Sequence, residues 1–193
     1  KIGQIPVFFK PNTAKDDILW MNQKPPTFSR ILSIKIFAEI LNLSEEVFDS
    51  RFPIQEVSTG LPFFIVPLLT LDAVRKAKIN FDQLLKNSKN IHGGILIFAP
   101  ETYKKTNNLN VRVFVDLFGI PEDPATGSAN GCLAAYLSYY KYFGSDKINI
   151  KVEQGYEIKR PSLLLLKAKH QNNTIQIQVG GKVIFVASGS LQI

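Results

Sequence analysis

The chain has 193 residues, 45% hydrophobic and 20% charged, with a formal net charge of +7, an ordinary globular composition for one large domain or a domain with an appendage. Its basic residues lie scattered in groups of two or three ("RKAK", "KKTNN") with no interleaved aromatics, which argues against a nucleic-acid footprint and leaves the charge as solubility plus a mild attraction for anionic substrates. The single cysteine, Cys132, excludes an intramolecular disulfide, no metal-ligand spacing surrounds it, and the longest apolar run, Leu61 to Leu69, is about half a membrane span. With no signal peptide visible, the expectation is a cytoplasmic protein without metal, cofactor, membrane or nucleic-acid partner.

In chain order, residues 4–9 and 17–21 read as short strands, followed by a Pro-rich break, "QKPPTF", at residues 23–28 that marks a candidate domain boundary. The chain begins at Lys1 and its only methionine is Met21, so it reads as part of a longer protein whose first half is missing. An amphipathic helix is expected over 31–42, with Ile34, Ile36, Phe37 and Ile40 on its apolar face, then a strand over 61–69. Two helical stretches follow at 71–78 and 81–87, with Asp72 and Asp82 in their first turns, where acids suit the helix dipole. Strands are expected at 94–99 and 110–116, then a nearly all-apolar helix at 128–143 ended by Gly144. The last part reads as strands at 148–153, 162–169, 173–179 and 182–187, with Gly180-Gly181 as a two-residue hairpin turn. Strands and helices do not alternate regularly, so the fold class is α+β, with strands wrapped around the central buried helix. Gly131 inside that helix points to close backbone packing.

Chemistry concentrates in "GIPEDPATGSANGCLAAYL", Gly119 to Leu137. The unpaired N–H groups of a buried helix that opens through small residues make an anion site, and its dipole adds about half a positive charge. Gly127 lets a ligand approach the backbone, and the Thr126 and Ser128 hydroxyls can bond to it. Asp123 beside an anion site suits a group that handles a proton on a small carboxylic acid. An equally physical alternative makes Ser128 or Thr126 a plain helix cap and gives Asp123 the loop amides.

"EDPATGSA" followed by a hydrophobic helix resembles the hallmark of the PhzF phenazine-biosynthesis family, whose fold is diaminopimelate-epimerase-like. The ordered series "STGLPFFIVPL", "VRVFVDLFGI" (with Arg112 and Phe114), "VEQGYEIKRPS" and "GGKVIFVASGSL" extends the resemblance over about residues 4–193. It implies a curved mixed or antiparallel sheet wrapped around one buried helix. It also implies that residues 1–28 are the last strands of an otherwise missing N-terminal domain, and 29–193 the C-terminal domain. Asp123, with Ser128, would be catalytic, and Thr126, Gly127 and Ser128 would bind the substrate carboxylate. The activity implied is a cofactor-independent isomerase that shifts a proton and a double bond on a small carboxylate, as a possible homodimer. A non-catalytic binding module reusing the fold is the alternative.

The family's main proton carrier is a glutamate of the first domain, which this chain does not match. "LNLSEEVF" imitates that glutamate's setting, but it precedes "STGLPFFIVPL", so Glu45 is read as its counterpart in an internal repeat. In related epimerases a catalytic cysteine occupies the place of Thr126. Cys132 lies further down the helix and is expected to be a buried packing residue, with His92 and His170 at the surface or structural.

Overall fold

The computed structural model describes residues 4–8, 18–171, 173–184 and 186–190. β1 (Val7–Phe8) pairs antiparallel with β2 (Ile18–Asn22), and Gln23–Pro26 lead on to β3 (Thr27–Leu32) and α1 (Ile34–Leu41). β4 (Ile54–Ser58) runs antiparallel to β3 and to β5 (Pro62–Pro67). A crossover through α2 (Leu71–Lys76) and α3 (Phe81–Lys86) brings β6 (Gly94–Ala99) parallel to β5. Thr70 and Asn80 cap these two helices, their side chains accepting from the amides of Ala73 and Gln83 at 3.2 Å each.

β7 (Leu109–Val115) runs antiparallel to β6, and β8 (Ile120–Asp123) turns back along its far half. α4 (Gly127–Tyr139) then carries the chain to β9 (Ile148–Gln154), parallel to the near half of β7. β10 (Ser162–Gln171) and β11 (Thr174–Lys182) continue as an antiparallel meander, and β11 pairs with β2. The result is one mixed sheet in the order β1-β2-β11-β10-β9-β7-β6-β5-β4-β3, with β8 on the side.

Gln23–Pro26 link strands far apart in that order, so the sheet must curl until its ends meet. Gln23 makes the junction: its amide donates to Ile177 O at 2.9 Å, and its Oε1 accepts from the Thr59 hydroxyl at 3.4 Å. Inside the curl lies α4, buried from Ala129 through Ser138 and packed against β4, β5, β6, β9, β10 and β11. Surrounded by apolar strands, it has no need of a polar face. The Gln23 side chain lies across Gly131, where a Cβ would come within 2.8 Å of Oε1, so the close approach is to a side chain.

A second core covers the outside of the curl with α1, α2 and α3. Alternation assigns the apolar strands to both layers: Phe63, Ile65, Leu96 and Phe98 face α4, while Phe64, Val66, Ile95 and Ile97 face the outer helices. Strands buried on both faces read as continuous apolar runs, which is why β5 and β6 stand out in the sequence.

Three expectations are corrected. Gly180-Gly181 is no turn: β11 runs unbroken through it, and 182–187 does not form a further strand over its described residues. Gly180 sits opposite Trp20, whose ring occupies the space a Cβ would take, at 2.8 Å. The hairpin turn falls earlier, where Gln171 pairs with Thr174 and Asn173 adopts φ 59. The central helix ends at Tyr139, before Gly144. Lys141 takes the left-handed position (φ 50), and the amides of Lys141 and Tyr142 close on Ser138 O and Leu137 O, a Schellman ending without glycine. Finally, residues 31 and 32 belong to β3, and α1 starts only at Ile34. No helix among the described residues is long and apolar enough to cross a membrane.

Candidate active site

β8 is four residues long, and its alternation separates two adjacent acids. Glu122 turns to the outer layer. Its carboxylate takes both arms of Arg112, Nε at 3.1 Å and Nη2 at 2.8 Å, with the two side chains only 7% and 10% exposed. Arg112 also donates through Nη1 to Val74 O (3.0 Å) and Ala77 O (2.7 Å) at the end of α2, and its guanidinium lies 4.8 Å over the Phe114 ring. Glu122 is therefore a structural anion, pinning β8 to β7 and α2. Asp123 faces the other way, toward the mouth of α4.

β8 and β9 share one edge of β7: Asp123 pairs with Val113, and Gln154 with Val111. The ends of two strands thus meet beside the loop Asp123–Thr126. Gly155 makes this possible, with φ 80 and Pro124 so close that a Cβ would lie 2.9 Å from its carbonyl oxygen. Gln154, fully buried, stitches the loop down. Its Nε2 donates to Asp123 O (2.7 Å) and Thr126 Oγ1 (3.0 Å), while its Oε1 accepts from Thr126 N (3.3 Å) and Asn130 Nδ2 (2.8 Å). Asn130 Nδ2 also reaches Thr126 O at 3.0 Å.

Thr126 occupies the cap position of α4 but does not cap it. Its hydroxyl donates instead to Asp123 Oδ2 at 2.5 Å. Among the described residues, none accepts a hydrogen bond from the amides of Gly127, Ser128 or Ala129, and the Ser128 hydroxyl has no recorded partner. The capping alternative therefore does not describe Thr126 or Ser128, and among the described residues no loop amide donates to the Asp123 carboxylate. A half-buried helix mouth with free donors is where an anion gains the dipole's ~0.3–2 kcal/mol. Met21 of β2 lies over this mouth, with its methyl 3.3 Å from where a Gly127 Cβ would be. A larger residue at 127 would push into it.

The structure thus brings Asp123, Thr126, Gly127 and Ser128 together at one helix end. Glu45 lies elsewhere, exposed on a 3-10 turn (Glu45–Val47) of the outer layer, and His92 and His170 are both exposed. Cys132 is fully buried, its sulfur 3.8 Å from Thr59 Oγ1 and 3.6 Å from Leu61 O, and burial pushes its thiol up to about 11. No group of three or more His, Cys, Asp or Glu among the described residues could hold a metal ion. Two surface concavities, of about 570 and 530 Å³, are lined by other residues, among them Lys167 with Gln178, and Arg112 with Arg160. Gln154 and Asn130 were not singled out by sequence reasoning as parts of the site. The signal for Gln154 was its place in "VEQGYEIKRPS", just before a glycine that adopts φ 80; Asn130 carried none.

The family model for phenazine biosynthesis-like protein matches residues 1–189. The chain is 29% identical over 155 residues to an uncharacterized isomerase of Clostridium acetobutylicum, covering 78% of this chain and 51% of that protein. It is 35% identical over 181 residues to a trans-2,3-dihydro-3-hydroxyanthranilate isomerase of Pseudomonas chlororaphis, covering 89% of this chain and 58% of that protein. Among solved structures, a Bacillus anthracis protein of the PhzF family superposes with a TM-score of 0.83 at 28% identity, over all of this chain and 67% of that one. A predicted epimerase of Pseudomonas aeruginosa gives 0.67 at 27% identity, over 91% and 59%. The chain spans about half to two thirds of the length of these relatives. Its sheet curled around a buried helix is the diaminopimelate-epimerase-like fold, and the chain belongs to the PhzC-PhzF family of phenazine biosynthesis-like proteins.

Proposed function

We propose that the chain carries the carboxylate-binding lobe of a cofactor-independent isomerase. In this reading a small carboxylic acid, of the trans-2,3-dihydro-3-hydroxyanthranilate or amino-acid kind, seats its carboxylate on the amides of Gly127 and Ser128 and on the Ser128 hydroxyl. Asp123 assists a proton that leaves one carbon and returns to another. A double bond shifts, and no electron is gained or lost. The observation that supports this is a carboxylate tied to Thr126 at 2.5 Å beside a helix end with free donors. The relatives' names support the reaction class.

A first lobe carried on further chain is proposed to supply the opposite wall of the cleft and the main proton-carrying glutamate; β2 and β3 lie instead in the sheet around α4, so the expected boundary at residue 28 is not kept. The relatives' greater length supports that division. The enzyme so completed works in the cytoplasm as a homodimer. The test is the chain alone and titrated with a separately expressed segment corresponding to the rest of its relatives. Turnover should rise with the added segment. Asp123→Asn should then lower kcat by about a hundredfold or more, within the usual span of a general acid or base, and leave KM nearly unchanged. A loss confined to affinity would instead indicate a binding module.

A further inference from the structure

We propose that Gln154 is the positioning residue of this site: its amide dictates the direction of the Thr126 hydroxyl proton, and thereby which oxygen of Asp123 meets the substrate. The inference rests on the isomerase reading above.

The orientation of a glutamine amide is ordinarily ambiguous, because its oxygen and nitrogen look alike. Here two main-chain groups remove the ambiguity. Thr126 N can only donate, so the atom 3.3 Å from it is Oε1; Asp123 O can only accept, so the atom 2.7 Å from it is Nε2. With the amide so turned, the second Nε2 proton meets Thr126 Oγ1 at 3.0 Å. A hydroxyl has one proton, and with a donor already at its oxygen that proton is left for Asp123 Oδ2, 2.5 Å away.

The chain Gln154 to Thr126 to Asp123 therefore runs one way, set by the backbone rather than by solvent. It occupies Oδ2. No described residue bonds Oδ1, which is the oxygen left to exchange a proton with substrate. Full burial of Gln154 keeps its amide from exchanging these partners for water, although Thr126 and Asp123 are themselves partly exposed, and Asn130 Nδ2 at 2.8 Å holds Oε1 from the other side.

A purely structural Gln154 would need only its two main-chain bonds, and Thr126→Val leaves both intact. That substitution and Gln154→Glu separate the cases. An ionised glutamate can still accept from Thr126 N and Asn130, but it has no proton for Asp123 O or the Thr126 hydroxyl. Protonated, it regains one donor. The 193-residue chain is titrated with anthranilate as the carboxylate probe between pH 5 and 8. Protection factors of the Thr126 and Asn130 amides are measured in the same samples without ligand.

Thr126→Val should weaken binding about tenfold, with the melting temperature falling by no more than the few degrees expected from one unpaired Gln154 proton. Gln154→Glu should lose as much binding at pH 8, with a matching fall in protection, and both should recover relative to wild type as the pH drops and the introduced carboxyl protonates. Wild-type binding by Thr126→Val, or a Gln154→Glu loss in binding and protection that ignores pH, would overturn the relay. If wild-type chain does not bind anthranilate, the carboxylate site fails. The pH response of protection in Gln154→Glu then decides the relay alone, its absence refuting it.

Discussion

Replacing Arg112 by methionine removes the cation that holds Glu122, without opening a large void. The pair is largely buried, at 10% and 7% exposure, so Glu122 would be left as an unpaired carboxylate with little access to water. Breaking a buried pair this way costs about 3–5 kcal/mol. Val74 O and Ala77 O lose their donor as well, a net of about 0.5–1.5 kcal/mol each. Against a total stability of about 5–15 kcal/mol, that is a large share. For a chain of this size the pair alone corresponds to a fall in melting temperature of roughly 6–20 °C.

The double variant Arg112→Met/Glu122→Leu removes the stranded charge and should recover most of the loss, leaving about 1–3 kcal/mol for the two α2 carbonyls. Urea unfolding of wild type, both single variants and the double variant closes the cycle. A loss below about 1 kcal/mol in Arg112→Met, or strictly additive effects, would refute the view that the pair is mutually dependent and buried.

Two further outcomes are expected. Gly180→Val should displace the Trp20 ring from β11 and break its contact with Lys167, whose Nζ lies 3.9 Å from the ring centroid. Trp20 is the only tryptophan, so a red shift in fluorescence reads this directly, with about 1–2 kcal/mol of lost stability; an unchanged spectrum would contradict the packing. Cys132, with its thiol raised to about 11, carries about a hundredfold less thiolate near pH 8 than at the ordinary value of 9.0. Its reaction with a disulfide reagent should be negligible in the native state and complete in urea, and fast native labelling would show the helix to be open.

What the sequence disclosed follows from where burial is simple. β6 matches the expected 94–99 because it is apolar on both faces, and α2 and α3 announce themselves through Asp72, Asp82 and their caps. β4 went unseen because its buried residues include Gln55 and Glu56, which pair with Tyr140, Ser29 O and the Ser29 hydroxyl. Such residues read as polar until their partners, 26 or more positions away, are known. β3 was hidden for the opposite reason: an edge strand with exposed Ser29, Arg30 and Ile31 leaves no pattern. A glycine pair need not mark a turn: at 180 an indole fills the space of a Cβ, and at 181 nothing lies within 4 Å of one. In the loop, hydroxyls and acids were legible as chemistry. Which acid faces the helix depends on Arg112, and which hydroxyl is engaged depends on Gln154, neither of them local.

The alternation of β8 has a consequence for how such a chain can vary in length. Residues 119–121 are exposed and would pass for a stretch that tolerates insertion. Adding or deleting a single residue there, with the strand still paired to β7, would exchange the two acids. Glu122 would arrive at the helix mouth on a longer arm, while Asp123 would fall short of the Arg112 fork. One such change would impair stability and chemistry together, so indels should be excluded from this tip while ordinary substitutions on its outer surface pass freely.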